Sequence, residues 1–245
     1  MMKKILIRLV CLSCFFMTAV ISKAETVGGF CGLEGDNMIS WELDLNFGLL
    51  TISGEGRMAD FDDPSEAPWW SYSKSIVHLI VEDGITHVSQ KGFQYMPYLE
   101  SAEIAETVTS IGDYAFCGSM LNKVIPTNWT GDLDANILPN GLLTIGYYAF
   151  AETGLENITL PTTLEKVGAA AFAYNDLLLE VTSLATTPPA SDRAVFFECN
   201  KLGAIHVPDD QVEAYNNADG WATYADIIVP ASGHAEHPSI LPEKS

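Results

Sequence analysis

Three stretches of this chain share one frame: Val108 to Phe116 (VTSIGDYAF), Leu142 to Phe150 (LLTIGYYAF) and Leu164 to Phe172 (LEKVGAAAF). A looser copy precedes them at Ile85 to Phe93, and a decayed one follows that keeps little beyond Val195 and Phe196. The frame phenylalanines Phe93, Phe116, Phe150, Phe172 and Phe196 stand 23, 34, 22 and 24 residues apart. Recurrence at a fixed period marks a solenoid, in which each unit buries its apolar side only against its neighbours. The chain therefore reads as about five units, one of which carries an insertion, residues 126–137.

Each unit opens with a short run of L-x-x-L-x-L spacing, as at Leu99 to Ile104 (LESAEI) and Leu155 to Leu160 (LENITL). That spacing and a period near 23 fall within the leucine-rich-repeat range. It predicts short parallel strands whose leucine-type positions point into the core while Ser101, Glu103, Asn157 and Thr159 project from the ladder. A turn follows, with Pro139 or Pro161, and then the second run, whose Ala-Phe pair is placed on one helical turn. The predicted fold class is mixed α/β: a leucine-rich-repeat solenoid over residues 75–208, with short parallel strands and short helical turns.

The flanking segments lack the frame. In 25–74, Ile39 to Leu45 alternates strictly and Leu49 to Gly54 follows a turn at Asn46 to Gly48, which predicts a β-hairpin capping the first unit. The loop from Met58 to Trp70 is rich in acids and prolines. Asp60, Asp62 and Asp63 supply the oxygen donors calcium prefers, yet the run has neither the glycine nor the distal glutamate of an EF-hand. Trp69 and Trp70 are expected to anchor this loop against the first unit. Residues 209–230 are expected to form the C-terminal cap, and 231–245 a polar, mobile tail.

Residues 1–24 run from Lys3, Lys4 and Arg8 through an apolar stretch to Ser22, Lys23 and Ala24, the order of a secretory signal peptide. Acylation at Cys14 or Cys11 is the competing reading, but only part of the apolar run lies upstream of either. Cleavage after Ala24 removes four cations and no acids, taking the net charge from −20 to about −24. Such a surface is highly soluble and argues against nucleic acid as a partner. No other stretch approaches the roughly 20 apolar residues of a helical membrane span. Cys31, Cys117 and Cys199 remain, an odd number without zinc-site spacing; they read as buried free thiols, with a bridge from Cys31 left open.

The frame V-T-S-I-G-D-Y-A-F, with Cys31, Trp41, Leu50 to Gly54, Gly56, Met58, Pro68 and Trp69 in the leading region, resembles the BspA-like leucine-rich-repeat family of secreted bacterial proteins. The resemblance spans most of the chain after residue 24. It implies a surface or secreted binding protein, with adhesion to host matrix or to other bacteria among the implied roles. It carries no shared catalytic residues. Five units is short for that family.

No nucleotide-binding, nucleophile-elbow or zinc-hydrolase motif occurs, so no catalytic residue, metal or cofactor is assigned. His234 and His237 lie in the tail, where Leu241 to Ser245 also lacks what a sortase signal needs. His78 and His206 are expected to face outward from strands, and His87 holds a variable frame position. The insertion is polar and carries Trp129, a rigid aromatic face beside Asn128. Asn128 and Asn157 also open formal glycosylation sequons. The expected function is recognition of a protein partner through the repeat face (Ser101, Glu103, Asn157, Thr159) or through Asn128 and Trp129, by an exported monomer in the periplasm, at the cell surface or outside. The alternatives are a glycan-binding accessory protein using exposed aromatics and a structural module without a dedicated ligand.

Overall fold

The computed structural model describes residues 25–33, 38–132, 134–191 and 193–233; the leader and the tail motifs lie outside them. The chain begins with an antiparallel meander of β1 (Thr26–Phe30), β2 (Ile39–Asp44) and β3 (Leu49–Gly54). Strands β2 and β3 pair from Ile39↔Gly54 to Asp44↔Leu49. Strands of two ladders, called long and short after their usual lengths of four and two residues, then alternate: β4 (Gly56–Arg57), β5 (His78–Val81), β6 (Ile85–Val88, four residues in the short ladder), β7 (Ser101–Ile104), β8 (Ser110–Ile111) and β9 (Lys123–Pro126). The series continues with β10 (Thr144–Ile145), β11 (Asn157–Leu160), β12 (Lys166–Val167), β13 (Glu180–Ser183) and β14 (Ala204–Val207). Helix α1 (Val212–Asn217) and β15 (Ile228–Pro230) close it.

The long strands form one ladder in two pieces, β1-β2-β3-β5-β7-β9 and β11-β13-β14-β15, and the short ones another, β12-β10-β8-β6-β4. From β3 onward the pairing is parallel, so each turn of the coil adds one rung to each ladder. The second and fourth residues of the long strands, such as Leu79 and Val81 or Ile158 and Leu160, are buried, because successive side chains of a strand point to opposite faces.

A stack of aromatic rings fills the axis. Trp69, Phe93, Phe116, Phe150, Phe172 and Phe196 follow one another at centroid separations of 5.2, 5.4, 5.2, 5.2 and 5.6 Å. Trp221 meets Phe196 edge-on at 5.8 Å. These rings are 2% exposed or less, Trp69 and Trp221 included. Seven rings mean about seven turns of coil, not five. The two tryptophans hold frame positions whose surrounding Ala-Phe signature is missing, so the sequence hides them.

The turns that carry the rings are not helical. The units of Phe93, Phe116, Phe150 and Phe172 each have two positions of positive φ, one two residues before the ring (Lys91, Tyr114, Tyr148, Ala170) and one two residues after it (Tyr95, Gly118, Glu152, Tyr174), and Glu198 holds the second place after Phe196. Left-handed residues four apart cannot share a right-handed helical turn. The conformation aims their amides, with that of the ring residue between them, at the next unit. Tyr114 donates to Tyr147 O, Phe116 to Ala149 O and Gly118 to Ala151 O, at 2.8 to 2.9 Å. The turns thus make a third hydrogen-bonded side, and the molecule is a β-solenoid with few helices rather than a mixed α/β one. At Gly118 the missing Cβ matters, since one built there would lie 2.5 Å from the Tyr95 ring.

The insertion does not simply project. Its last residues return to the long ladder and lie between β9 and β11 as an extra rung: Ile137 N donates to Val124 O and Leu138 N to Thr159 O. Asn136, 3% exposed, stitches the rung, its Oδ1 accepting from Val124 N and its own amide donating to Asn157 Oδ1. The Phe116 and Phe150 rings stay 5.2 Å apart, as in units without an insertion, so the extra residues leave the axis undisturbed.

Candidate binding surfaces

The outward face of the long ladder collects the first and third residues of each strand. In the first half the registers are Leu49–His78–Ser101–Lys123 and Thr51–Ile80–Glu103–Ile125. In the second they are Asn157–Glu180–Ala204 and Thr159–Thr182–His206–Val229. Ser101 and Glu103 therefore sit on adjacent rows of one sheet, and Asn157 and Thr159 on the other, with the Ile137 rung between. Ser101 Oγ lies 2.8 Å from His78 Nδ1. Glu103 lies in register with two isoleucines, and burial pushes its carboxyl above the ordinary range. Asn157 spends its Oδ1 on the extra rung. His206 is 7% exposed, not outward as its strand position suggested.

Trp129 is half-buried, and Asn128 beside it is exposed with φ +63°. The indole Nε1 donates to Asp132 O at 2.9 Å, and the ring lies over Gly131, where a Cβ would stand 2.4 Å from it. The loop is thus folded on itself. Lys123 Nζ donates to Ala135 O at 2.6 Å and closes the loop's base.

One constellation has the order of a hydrolytic relay. Asp60 Oδ1 lies 2.8 Å from His87 Nε2, and His87 Nδ1 lies 2.7 Å from Ser110 Oγ. Burial pushes the imidazole below its ordinary value, more than the hydrogen bond and charge of Asp60 raise it. Burial would raise Asp60, but the Gln90 amide, His87 and Arg57 together hold it below the usual carboxylate value. At neutral pH a neutral His87 donates from Nε2 to a carboxylate and accepts from Ser110. Acyl transfer would also need amides aimed at a developing oxyanion. Those of Thr109 and Gly112, flanking Ser110, are spent on Thr86 O and Val88 O. The same His–Ser pairing recurs one ladder over, at His78 and Ser101, with no acid among the described residues hydrogen-bonded to the imidazole. The relay is a clip tying the 58–70 loop to the second and third units.

That clip sets a pH dependence. The unfolded chain protonates His87 at an ordinary value near 6.5 and the folded one only lower, so the unfolded state binds more protons in between. Stability is therefore expected to fall as pH drops below about 6.5, and again below about 3.8 as Asp60 is forced to protonate. Thermal melts from pH 7.5 to 5 check the first step, which should shrink in His87→Gln.

All three cysteines after residue 24 are free, and burial pushes Cys31 up to about 12 and both Cys117 and Cys199 up to about 11. They are thiols, not thiolate nucleophiles. No cluster of three or more potential metal ligands occurs among the described residues, where Asp60 serves the clip and Asp63 caps its own turn through Ser65.

Parallel rungs, an inward leucine-type row and a stacked aromatic axis define a leucine-rich-repeat solenoid. The chain belongs to the BspA-type leucine-rich-repeat family, whose model matches residues 69–134 and 127–218 in six copies and begins at Trp69. Among solved structures, a leucine-rich-repeat protein of T. pallidum is similar at 21% identity and a TM-score of 0.51, covering 79% of this chain and 78% of that one. One from Eubacterium ventriosum gives 17% and 0.46, covering 90% and 98%. The pneumococcal vaccine antigen PcpA gives 17% and 0.42, covering 71% and 49%. At these identities the likeness concerns the fold. No curated protein matches the sequence significantly.

Proposed function

We propose that this chain is an exported recognition protein that binds a protein partner across the outward face of its long ladder. The observation that carries the reading is the in-register run from Thr51 to Val229, in which Thr51, Ile80, Glu103, Ile125, Thr159, Thr182 and Val229 are partly exposed and the buried Ile137 and His206 keep the row continuous. Rungs about 4.8 Å apart offer a partner a regular grid, and Glu103, Thr159 and Thr182 supply its polar points. Membership of a family of surface-type repeat proteins favours an adhesion or protein-interaction role. No helix among the described residues is long and apolar enough to cross a membrane.

The test is a panel of immobilised extracellular-matrix proteins run beside a glycan array. Glu103→Arg combined with Thr182→Arg should abolish binding to whichever matrix protein is captured while leaving the melting temperature within a degree or two. Unchanged binding by that double variant would sink the reading. Trp129 stands on the loop that ends in the extra rung, and Trp129→Ala should weaken capture by about 1–2 kcal/mol with little effect on stability, because the ring's bond to Asp132 O and its packing on Gly131 stay within that loop. Capture by glycans alone, lost with Trp129→Ala, would favour the accessory-protein alternative.

A further inference from the structure

The turn side of the coil carries a second surface, independent of the ladder face. Tyr114, Tyr147, Tyr148, Tyr174 and Phe197 form an unbroken aromatic ridge across neighbouring units, with centroid separations from 4.4 to 6.5 Å. Tyr147, Tyr174 and Phe197 are 40–45% exposed, far more than a packing role requires of residues so large and apolar. Beside the ridge, the residue preceding each frame leucine is also bared: Tyr98, Met120 and Leu177 are 44–58% exposed. Gly154 takes that place in the intervening unit. There a notch of about 450 Å³ opens, lined by Glu152, Thr153, Tyr174, Asp176 and Leu177.

The chemistry of the notch is one-sided. Glu152 and Asp176 are both exposed, and neither is ion-paired: the salt bridges among the described residues are Arg57–Asp60 and His87–Asp60. The chain has 12 Lys and Arg against 32 Asp and Glu, so it supplies few cations of its own. Thr153 is already satisfied, by Asn175 Oδ1 and Phe150 O, which leaves the two carboxylates and the Tyr174 ring as the groups that face a ligand. Two acceptor-only groups beside an aromatic face suit a cation with several donors, above all a guanidinium, which stacks on rings and forks onto carboxylates. A neutral sugar would leave both carboxylate charges uncompensated.

We propose that this surface binds a basic, partly apolar peptide segment of a protein partner, with an Arg or Lys side chain entering the notch between Glu152 and Asp176 and apolar residues lying along the tyrosine ridge. Specificity comes from the notch and area from the ridge. The proposal does not depend on the ladder face, so either surface can fail its test alone.

The experiment is fluorescence anisotropy with a labelled decapeptide of alternating Arg and Leu, its citrulline-for-Arg analogue, and unlabelled neutral oligosaccharides as competitors. The Arg peptide should bind, and Glu152→Gln with Asp176→Asn should weaken it at least ten-fold, Tyr174→Ala at least three-fold. A control double variant, Asp210→Asn with Glu213→Gln, removes the same charge at a distance and should change affinity less than two-fold. Equal binding of the citrulline peptide, an equal loss in the control variant, or displacement by the oligosaccharides would each overturn the proposal. The last would mark the ridge as a glycan surface instead.

Discussion

Truncating one ring of the axis, Phe116→Ala or Phe150→Ala, is expected to cost about 3–5 kcal/mol, the usual loss for a fully buried phenylalanine. Each ring touches two others at 5.2 to 5.4 Å and contacts no solvent, so truncation opens a cavity between two units that are held rigidly by ladders on three sides. Collapse into that space would shift three sets of hydrogen bonds together. Trp69→Ala should fall in the same range, because the indole stacks on Phe93 and its Nε1 donates to Gly92 O at 2.8 Å. Glu103→Ala should change stability by less than about 0.5 kcal/mol, being a ladder-face side chain with no part in the core. Chemical denaturation of the four variants decides the matter. If Trp69→Ala behaves like Glu103→Ala, the axis starts at Phe93 and the coil is shorter than described here.

The rings and strand rows were legible because both recur. A position that repeats every 22 to 24 residues, one insertion apart, with one side-chain type announces its packing role, and L-x-x-L-x-L fixed which face of each strand turns inward. What escaped notice broke the type while keeping the place. Trp69 follows Ala67 and Pro68, and Trp221 follows Gly220, so neither shows the Ala-Phe signature although both complete the stack. The left-handed turns escaped for another reason. Of the nine described positions with positive φ on that side, only Gly118 is a residue that prefers it, and Tyr, Lys, Ala and Glu give no hint.

The candidate surfaces divide in the same way. Ser101, Glu103 and Thr159 stand on the ladder face, as strand alternation requires. Asn136 and Ile137 read as polar loop because a single rung, with Asn136 bonding through its side chain, has no periodicity to detect. The Asp60–His87–Ser110 clip joins residues 27 and 23 apart, separations set by the coil and invisible in any local pattern. The tyrosine ridge was present as letters in the frame, at positions where the repeat tolerates many residues. Only the coil shows that Tyr114, Tyr148 and Tyr174, at left-handed positions, line up with Tyr147 and Phe197 beside them.

A second large loss is expected from Asn175→Ala. Three residues after four of the five frame phenylalanines the chain places a small polar or thiol side chain that turns inward: Ser119 Oγ donates to Phe116 O at 2.7 Å, Thr153 Oγ1 to Phe150 O at 3.2 Å, and Cys199 Sγ to Phe172 O at 3.0 Å. Asn175 is the member that holds the ring-residue carbonyls of two units at once. Its Nδ2 donates to Phe150 O at 2.9 Å and Phe172 O at 2.8 Å, while its Oδ1 accepts from Thr153 N at 2.8 Å and Thr153 Oγ1 at 2.7 Å. The side chain has no solvent exposure, so water does not replace it. Removing it strands at least the Thr153 amide, and a buried group left without a partner costs about 1–3 kcal/mol. With the weakened carbonyl contacts, a total of about 3–5 kcal/mol is expected. Asn175→Asp separates hydrogen bonding from packing, since it keeps the volume while setting an acceptor against the Phe150 and Phe172 carbonyls. It should destabilise at least as much as Asn175→Ala in urea melts at pH 7, and near-wild-type stability of the Asp variant would show that shape, not the bridge between units, is what this position contributes.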